Sequence, residues 1–517
     1  MRTSTSGADV VIVGTGPVAA VLARILLNAG VHVLMLEAGR QMSTPPGAHL
    51  RNAFACQIDP SFYNETVKAH LRPASMSTAS GSYPEDSAAT AGSANRSGFK
   101  RRLRTTLPAA RVTNLVGGMG ALWNCVALRM DEELKHWPGI SSPEWDSLYA
   151  AAEDLLGVSP SIFASSPRQT AVLNLLSERY REPSFPLPRP AAIAARRRSD
   201  NPELIRWTGP AEILGDTTEE LRTGSLRIWP DHAVNRLIHR GGQITQAEVQ
   251  GLDPWEIKTI SAEVFVVAGG AIRTPALLWN SGIGKDGQAT SCLGRYLCDH
   301  PLAYAQVALN PELLAQASKF RQSRLLNSET DLFISIPFSS SKPFHSLIMP
   351  DVHCDKGQPD NRAVVSLYWY SLATPRFENR MVFNESAHDS WTLPQPAFEY
   401  TLFDEDRARI QVALEDLKNA GQMMGSFLPS APPQILSPGS SMHIMGTTRM
   451  GDNDGGSLVD SYGQVWGFSN LYLGGTGLIP CATASNPTLT ACALAVRTAQ
   501  KILDNPIIRN NRMASVC

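Results

Sequence analysis

The sequence predicts an α/β fold on a parallel sheet, and three features carry that reading. The apolar run Val10–Val13 passes through Gly14-Thr15-Gly16-Pro17-Val18-Ala19 into a helix over 17–29, with Gly30 just past its end. A second apolar run, 31–36, closes on Glu37. Strand, helix and strand in immediate succession require parallel pairing. The second feature is Ala268-Gly269-Gly270-Ala271, which follows an apolar strand over 262–267 and precedes a helix carrying Leu277 and Leu278. The third is the C-terminal Leu471-Tyr472-Leu473-Gly474-Gly475-Thr476-Gly477, followed by a helix opening at Asn486-Pro487-Thr488. Proline favours the first helical position, and Asn486 can cap that helix or face a ligand.

Size and composition narrow the function classes. The chain has 517 residues, enough for one large or two ordinary domains, and a 43% hydrophobic content typical of globular proteins. A net charge of -1 argues against a nucleic-acid surface or a polybasic membrane anchor. No apolar run is long enough to predict a membrane span. The eight cysteines are scattered, with no CxxC pair and no HExxH, so no metal site is expected. The first strand starts too close to Met1 to leave room for a cleavable leader. Reduced thiols and a cytoplasmic location are therefore expected.

The middle of the chain is organised differently. A Ser/Ala/Gly-rich stretch over 74–97 meets the basic cluster Lys100, Arg101, Arg102 and Arg104, and reads as a solvated loop or an active-site lid. A second basic run, 196–198, reads as a surface loop. Leu226–Trp229 and 233–239 read as strands, with Gly241-Gly242 turning a hairpin into 244–249. Alternating stretches such as 364–370 and 381–384 predict a separate antiparallel sheet, and 404–423 a helix. The expected division is a nucleotide-binding domain over 1–300 and 438–517 and a second domain over 301–437. Excursions are expected near 70–105 and 150–225.

The motifs point to chemistry. In G-x-G-x-x-A, Gly14 permits the tight turn, Gly16 lets backbone approach a pyrophosphate, and Ala19 allows close helix packing. The helix N-terminus faces the phosphates, and Glu37, beside Ala38, can accept ribose hydroxyls. That carboxylate favours FAD or NAD over NADP. The glycine-dense segment 114–124, with Gly117, Gly118, Met119 and Asn124, can press backbone against something flat or anionic. His443 stands in small, glycine-flanked surroundings, and the helix after Asn486 offers a positive pole to an anionic ring.

Together these segments resemble the glucose–methanol–choline (GMC) flavin oxidoreductases. GTGPVAA with Glu37, VGGMGALWN, FVVAGGAIRTPALLWNSGIG, LGRYLCDHP and NLYLGGTGLIPCATASNPTLTACALAVRTA each match a family segment. HIMGTTRMG and NPTLTA are most similar to pyranose oxidases and bacterial glycoside 3-oxidases. The resemblance implies a Rossmann-like FAD-binding domain of glutathione-reductase type. It also implies a discontinuous substrate domain on an antiparallel sheet covered by helices. It places His443 on the catalytic histidine and Asn486 on its partner asparagine. Val234 falls where backbone meets the adenine, and Asn124 near flavin N5. The cofactor segments further include Ala268, Gly269, Gly475, Thr476, Pro487 and Thr488. Fungal pyranose oxidases attach FAD through a histidine where this chain has Leu122, and have another histidine where it has Thr448. Non-covalent FAD is thus implied.

The implied reaction is oxidation of a secondary hydroxyl of a sugar or glycoside, at C2 or C3, to a ketone. His443, titrating near neutrality, is the expected base, and dioxygen or a quinone-like compound the electron acceptor. Two alternatives share the same residues: oxidation of a primary alcohol in aminosugar or natural-product biosynthesis, and a lyase in which FAD is not reduced. The motifs are silent over 301–437, where the substrate would be read.

Overall fold

The structure, a computed structural model, describes residues 3–5, 7–75, 106–134, 137, 139–182, 185–202, 204–252, 255–284, 292–318, 331–350, 364–389 and 393–514. The stretch 76–105, with most of the expected lid and its basic cluster, lies outside the described residues.

The apolar runs assemble as one five-stranded parallel sheet, in the order Leu226–Trp229, Val33–Leu36, Val10–Val13, Val264–Val267, Leu471–Leu473. The three central strands are unbroken in hydrophobicity and almost wholly buried, as a sheet covered on both faces requires. Helices Pro17–Asn28 and Thr488–Leu503, from opposite ends of the chain, pack on each other. Two strands start later than expected. The Val31 amide bonds Leu26 O to close the preceding helix, and the amides of Glu263 and Val264 share Asp9 O. The helix expected to open at Asn486-Pro487-Thr488 begins at Thr488, with Pro487 as its N-cap rather than its first residue.

Gly241 and Gly242, both at positive φ, turn the expected hairpin between His232–Arg240 and Gln243–Leu252. Two further strands, Trp255–Ser261 and Thr3–Thr5, extend it, which the sequence had not suggested. The basic run 196–198 is not a simple loop: Arg196 and Arg197 lie in strand Ile193–Arg197, paired with Ile205–Trp207.

The second sheet has seven strands. Its path runs Gly425–Phe427, Leu302–Leu309, Val364–Ser371, Phe344–Pro350, Ile334–Ile336, Arg189–Pro190, and Gln434–Ile435 also pairs Leu302–Leu309. All its pairings are antiparallel. The stretch 381–384 is not part of it; strand Arg380–His388 pairs with Pro394–Glu399 in a separate ribbon. One face of the large sheet, with Ala303, Ala305, Val307, Leu367 and Trp369, packs on helix Asp404–Met424 through Ile410, Ala413, Leu417 and Ala420. Alternation sends Leu302, His345, Leu347, Met349, Tyr368 and Tyr370 to the opposite face. Leu302, Leu347, Met349 and Tyr370 there join the core of the parallel-sheet half.

Among the described residues, Cys56, Cys125, Cys292, Cys298, Cys481 and Cys492 are free thiols. No described helix is long and apolar enough to cross a membrane.

Behind the antiparallel sheet a buried carboxylate joins three elements. Asp416 accepts from Tyr180 Oη at 2.7 Å, Trp369 Nε1 at 2.9 Å, Arg179 Nη2 at 3.1 Å, and Lys342 Nζ. Burial pushes its carboxyl up, but the bonds from Lys342, Tyr180 and Trp369 outweigh that and hold it below its usual value. Removing one member of such a cluster leaves an uncompensated buried charge. Asp416→Ala is expected to cost about 3–5 kcal/mol in urea unfolding; a loss within about 0.5 kcal/mol, the range of ordinary surface substitutions, would show that the cluster contributes little.

Candidate active site

The nucleotide end is built from strand termini. Gly14 sits at φ 105° at the end of its strand, and a Cβ there would lie 2.6 Å from Ala268 O. Only glycine lets the Ala268-Gly269 turn approach so closely. A Cβ on Gly16, by contrast, would meet nothing within 4 Å, so this backbone fronts open space. Helices Pro17–Asn28, Gly270–Asn280 and Thr488–Leu503 each follow a strand of the parallel sheet, and no side chain caps any of their N-termini. Uncapped amides and an aligned dipole make such ends anion sites.

Thr15 ties these pieces together. Its hydroxyl donates to Glu37 Oε2 at 2.7 Å and accepts from the Gly117 amide at 2.8 Å, while Gly39 N–H donates to Glu37 Oε1 at 2.9 Å. Burial pushes the Glu37 carboxyl up; the Thr15 and Gly39 bonds oppose that. A carboxylate has about four lone-pair sites, and with Thr15 and Gly39 on it the Glu37 group keeps acceptor capacity for a ribose hydroxyl. Val234 lies just beyond, because the His232 amide bonds Glu37 O at 2.8 Å as the chain enters strand His232–Arg240. Gly118 and Met119 begin a short 3-10 turn after Gly117. Gly475 comes next to Gly270, and Thr476 Oγ1 donates to Ile444 O at 2.7 Å, beside His443. Asn124 accepts from Val126 N–H at 3.1 Å, and its amide lies 3.9 Å from Met349 Sδ on the large sheet. The open backbone at Gly16, the uncapped helix ends and the Glu37 carboxylate fit a dinucleotide with a pyrophosphate and an unphosphorylated ribose.

The chemistry-bearing end is a chain of hydrogen bonds. Asn486 Nδ2 lies 3.1 Å from His443 Nε2, and His443 Nδ1 lies 3.0 Å from His300 Nδ1. His300 Nε2 lies 3.2 Å from Thr483 Oγ1. An amide nitrogen only donates, so His443 Nε2 accepts and its ring proton sits on Nδ1. That proton goes to His300 Nδ1, and His300 donates from Nε2 to Thr483. Burial holds His443 well below the ordinary histidine range, with His300 and His345 adding to the effect, and holds His300 down at about 4. Both rings are neutral at neutral pH. Asn486 Oδ1 is buried without a hydrogen-bond partner among the described residues.

Asp299, one residue before His300, fixes the backbone around His443. Its carboxylate accepts from Ser441 Oγ, from the His443 amide at 2.9 Å and from the Gly439 amide at 3.0 Å. Burial pushes its carboxyl up to about 6 against the pull of these donors. Met442, between the bonded residues, takes φ 55°. Tyr370, from the large sheet, brings its ring to 4.9 Å from that of His443.

The structure thus brings His443 and Asn486 together, and separately gathers Gly14, Thr15, Gly16, Glu37, Gly117 and Ala268. Two expectations change. Asn486 is not the helix cap: it precedes the N-cap Pro487 and spends its amide on His443. His443 does not titrate near neutrality, because it is desolvated. Sequence reasoning passed over Asp299, His300, Thr483 and Tyr370. The Asp-His-Pro run at the start of strand Leu302–Leu309 was the available signal, since adjacent buried acid and imidazole need partners.

Comparisons with known proteins agree with this geometry. Residues 7–55 match an FAD binding domain, and 205–302 and 375–495 match the two GMC oxidoreductase models. A C-glycoside 3-oxidase of Arthrobacter globiformis is 32% identical, over 96% of this chain and 95% of the relative. A pyranose 2-oxidase of Lyophyllum shimeji is 28% identical, over 96% and 92%. A formate oxidase of Aspergillus oryzae shares the fold at TM-score 0.68 and 15% identity, over 98% of this chain and all of the other. With a relative of that identity aligned nearly end to end, the chain belongs to the GMC oxidoreductase family and is an FAD-dependent oxidoreductase.

Proposed function

We propose that the protein oxidises a secondary hydroxyl of a sugar or glycoside to a ketone. The observation that carries this reading is the His443–Asn486 pair: an unprotonated ring nitrogen 3.1 Å from an amide donor. A hydroxyl is both donor and acceptor, so on binding it can displace this direct bond, giving its proton to His443 Nε2 and accepting from Asn486 Nδ2. The names of the relatives, pyranose 2-oxidase and C-glycoside 3-oxidase, supply the substrate class.

His443 and Asn486 hold the hydroxyl, and the neutral imidazole takes its proton as the carbon is oxidised. The hydrogen bond to His300 keeps the ring's own proton on Nδ1, so Nε2 faces the substrate as a base. FAD, when bound, would supply the two-electron acceptor for the carbon-bound hydrogen, with dioxygen or a quinone-like compound as the final electron acceptor of the proposed reaction. Gly14, Thr15, Gly16, Pro17, Val18 and Ala19 would hold it with Glu37 and Ala38, Gly117 to Met119, Asn124, Val234, Ala268 and Gly269, Gly475 and Thr476, and Asn486 to Thr488. Leu122, a buried hydrocarbon side chain, cannot form the histidyl bond of fungal pyranose oxidases, so the cofactor is held non-covalently.

Three outcomes are expected. His443→Ala keeps FAD but loses at least about 100-fold in anaerobic sugar-driven flavin bleaching, the scale of general-base catalysis; a near-native rate would remove the base assignment. Acid precipitation of the wild type releases all the yellow colour to the supernatant, and a yellow pellet would contradict non-covalent attachment. In a pH series, bleaching stays constant as pH falls to 6.5 and declines only below it, since the folded-state pKa of His443 lies below that ordinary value. Protonation centred at or above 6.5 would mean the base is not the buried imidazole.

A further inference from the structure

The antiparallel sheet presents to the His443 side a face that packing alone does not explain. Its strand register places His345 opposite Tyr370, and Leu347 opposite both Tyr368 and Ser335. These residues share one face, so the buried polar groups on it are neighbours. His345 is 2% exposed and Ser335 fully buried. Neither ring nitrogen of His345, nor the hydroxyl of Ser335, has a hydrogen-bond partner among the described residues. Buried polar groups are ordinarily paired, and an imidazole with both nitrogens free is a rare exception. Burial holds His345 down at about 3, so the ring is neutral and offers one donor and one acceptor.

The location gives this exception a use. Tyr370, the cross-strand neighbour of His345, sits 4.9 Å from His443 and continues into Tyr368, stacked at 6.2 Å with planes 8° apart. Tyr304 follows at 5.1 Å from Tyr368. A ring whose reacting hydroxyl lies at His443 and Asn486 therefore meets an aromatic wall with an unpaired imidazole beside it. Carbohydrate rings combine an apolar C–H face, suited to such a wall, with hydroxyls that satisfy donors and acceptors in pairs.

Resting on the proposed sugar oxidation, we infer that His345 is a specificity-determining residue that hydrogen-bonds a second hydroxyl of the same ring, beside the one oxidised, while Tyr370 and Tyr368 pack against the ring face. A substrate with an isolated alcohol would leave His345 unpaired and be disfavoured.

The test pairs substrate and protein changes. Anaerobic bleaching and steady-state turnover with dioxygen or a quinone acceptor are measured for glucose and methyl glucoside, each with its monodeoxy analogues, in the wild type, His345→Phe and His345→Gln. FAD content and the flavin spectrum serve as the check on folding. In the wild type, one deoxy analogue other than that lacking the oxidised hydroxyl should lose about tenfold in kcat/KM, the value of one neutral hydrogen bond. His345→Phe should lose the same factor on the parent sugar, chiefly in KM, and nothing further on that analogue. His345→Gln, which keeps a donor and an acceptor, should recover part of it. A merely structural role would instead lower every substrate equally. Unchanged discrimination, or an equal loss across the series, overturns the assignment. Should His345→Phe not take up FAD, His345→Leu repeats the comparison, and a wild type indifferent to every neighbouring hydroxyl overturns it without any variant. Failure of all these sugars to bleach the wild type overturns the sugar reading itself, and this inference with it.

Discussion

The site depends on one buried carboxylate. Asp299 takes hydrogen bonds from the Gly439 and His443 amides and from Ser441, and so holds the loop that carries the His443 imidazole. The next residue, His300, then bonds the ring itself. Two consecutive side chains thereby set the position of His443, and the Asn486 amide on Nε2 sets its tautomer. A carboxylate buried this deeply persists only when its lone pairs are satisfied, so the loop and the acid depend on each other.

The second constraint is topological. The parallel sheet takes strands from residues 10–13, 33–36, 226–229, 264–267 and 471–473, so the two ends of the chain meet at one set of strand termini. Nucleotide segments and the His443–Asn486 pair are separated by most of the sequence, yet Thr476 bonds the backbone beside His443 and a Cβ on Gly474 would lie 2.9 Å from Val18. Thr15 does the same work locally, joining Glu37 to Gly117 through a single hydroxyl. The antiparallel sheet is then laid against this frame, packed on helix Asp404–Met424 behind and facing His443 in front.

Much of this was legible in the residues. Unbroken apolar strands, three of them followed by glycine and then a helix, marked the nucleotide sheet, because a two-sided buried strand needs that composition and a close turn needs glycine. The glycine pair 241–242 marked the hairpin of a separate sheet, His443 stood in small, glycine-flanked surroundings, and Asn486 was legible as a helix opening. The partners of His443 did not. Asp299 and His300 lie more than a hundred positions away in sequence, and nothing local says that an Asp-His pair turns inward. His345 and the tyrosines look like ordinary strand residues until the register shows which face they share.

The sequence by itself determined the fold class and the nucleotide fingerprint, because these rest on local rules: periodicity, glycine conformation and helix ends; the pairing of His443 with Asn486 was implied only by the family resemblance. Only the tertiary structure decided that His443 is neutral and which of its nitrogens carries the proton. It also decided that Asn486 serves His443 rather than the helix end, and that His345, without a hydrogen-bond partner among the described residues, shares the sheet face of Tyr370 beside His443. Protonation, tautomer and hydrogen-bond satisfaction depend on what burial brings together across the chain, and that is a property of packing rather than of neighbouring residues.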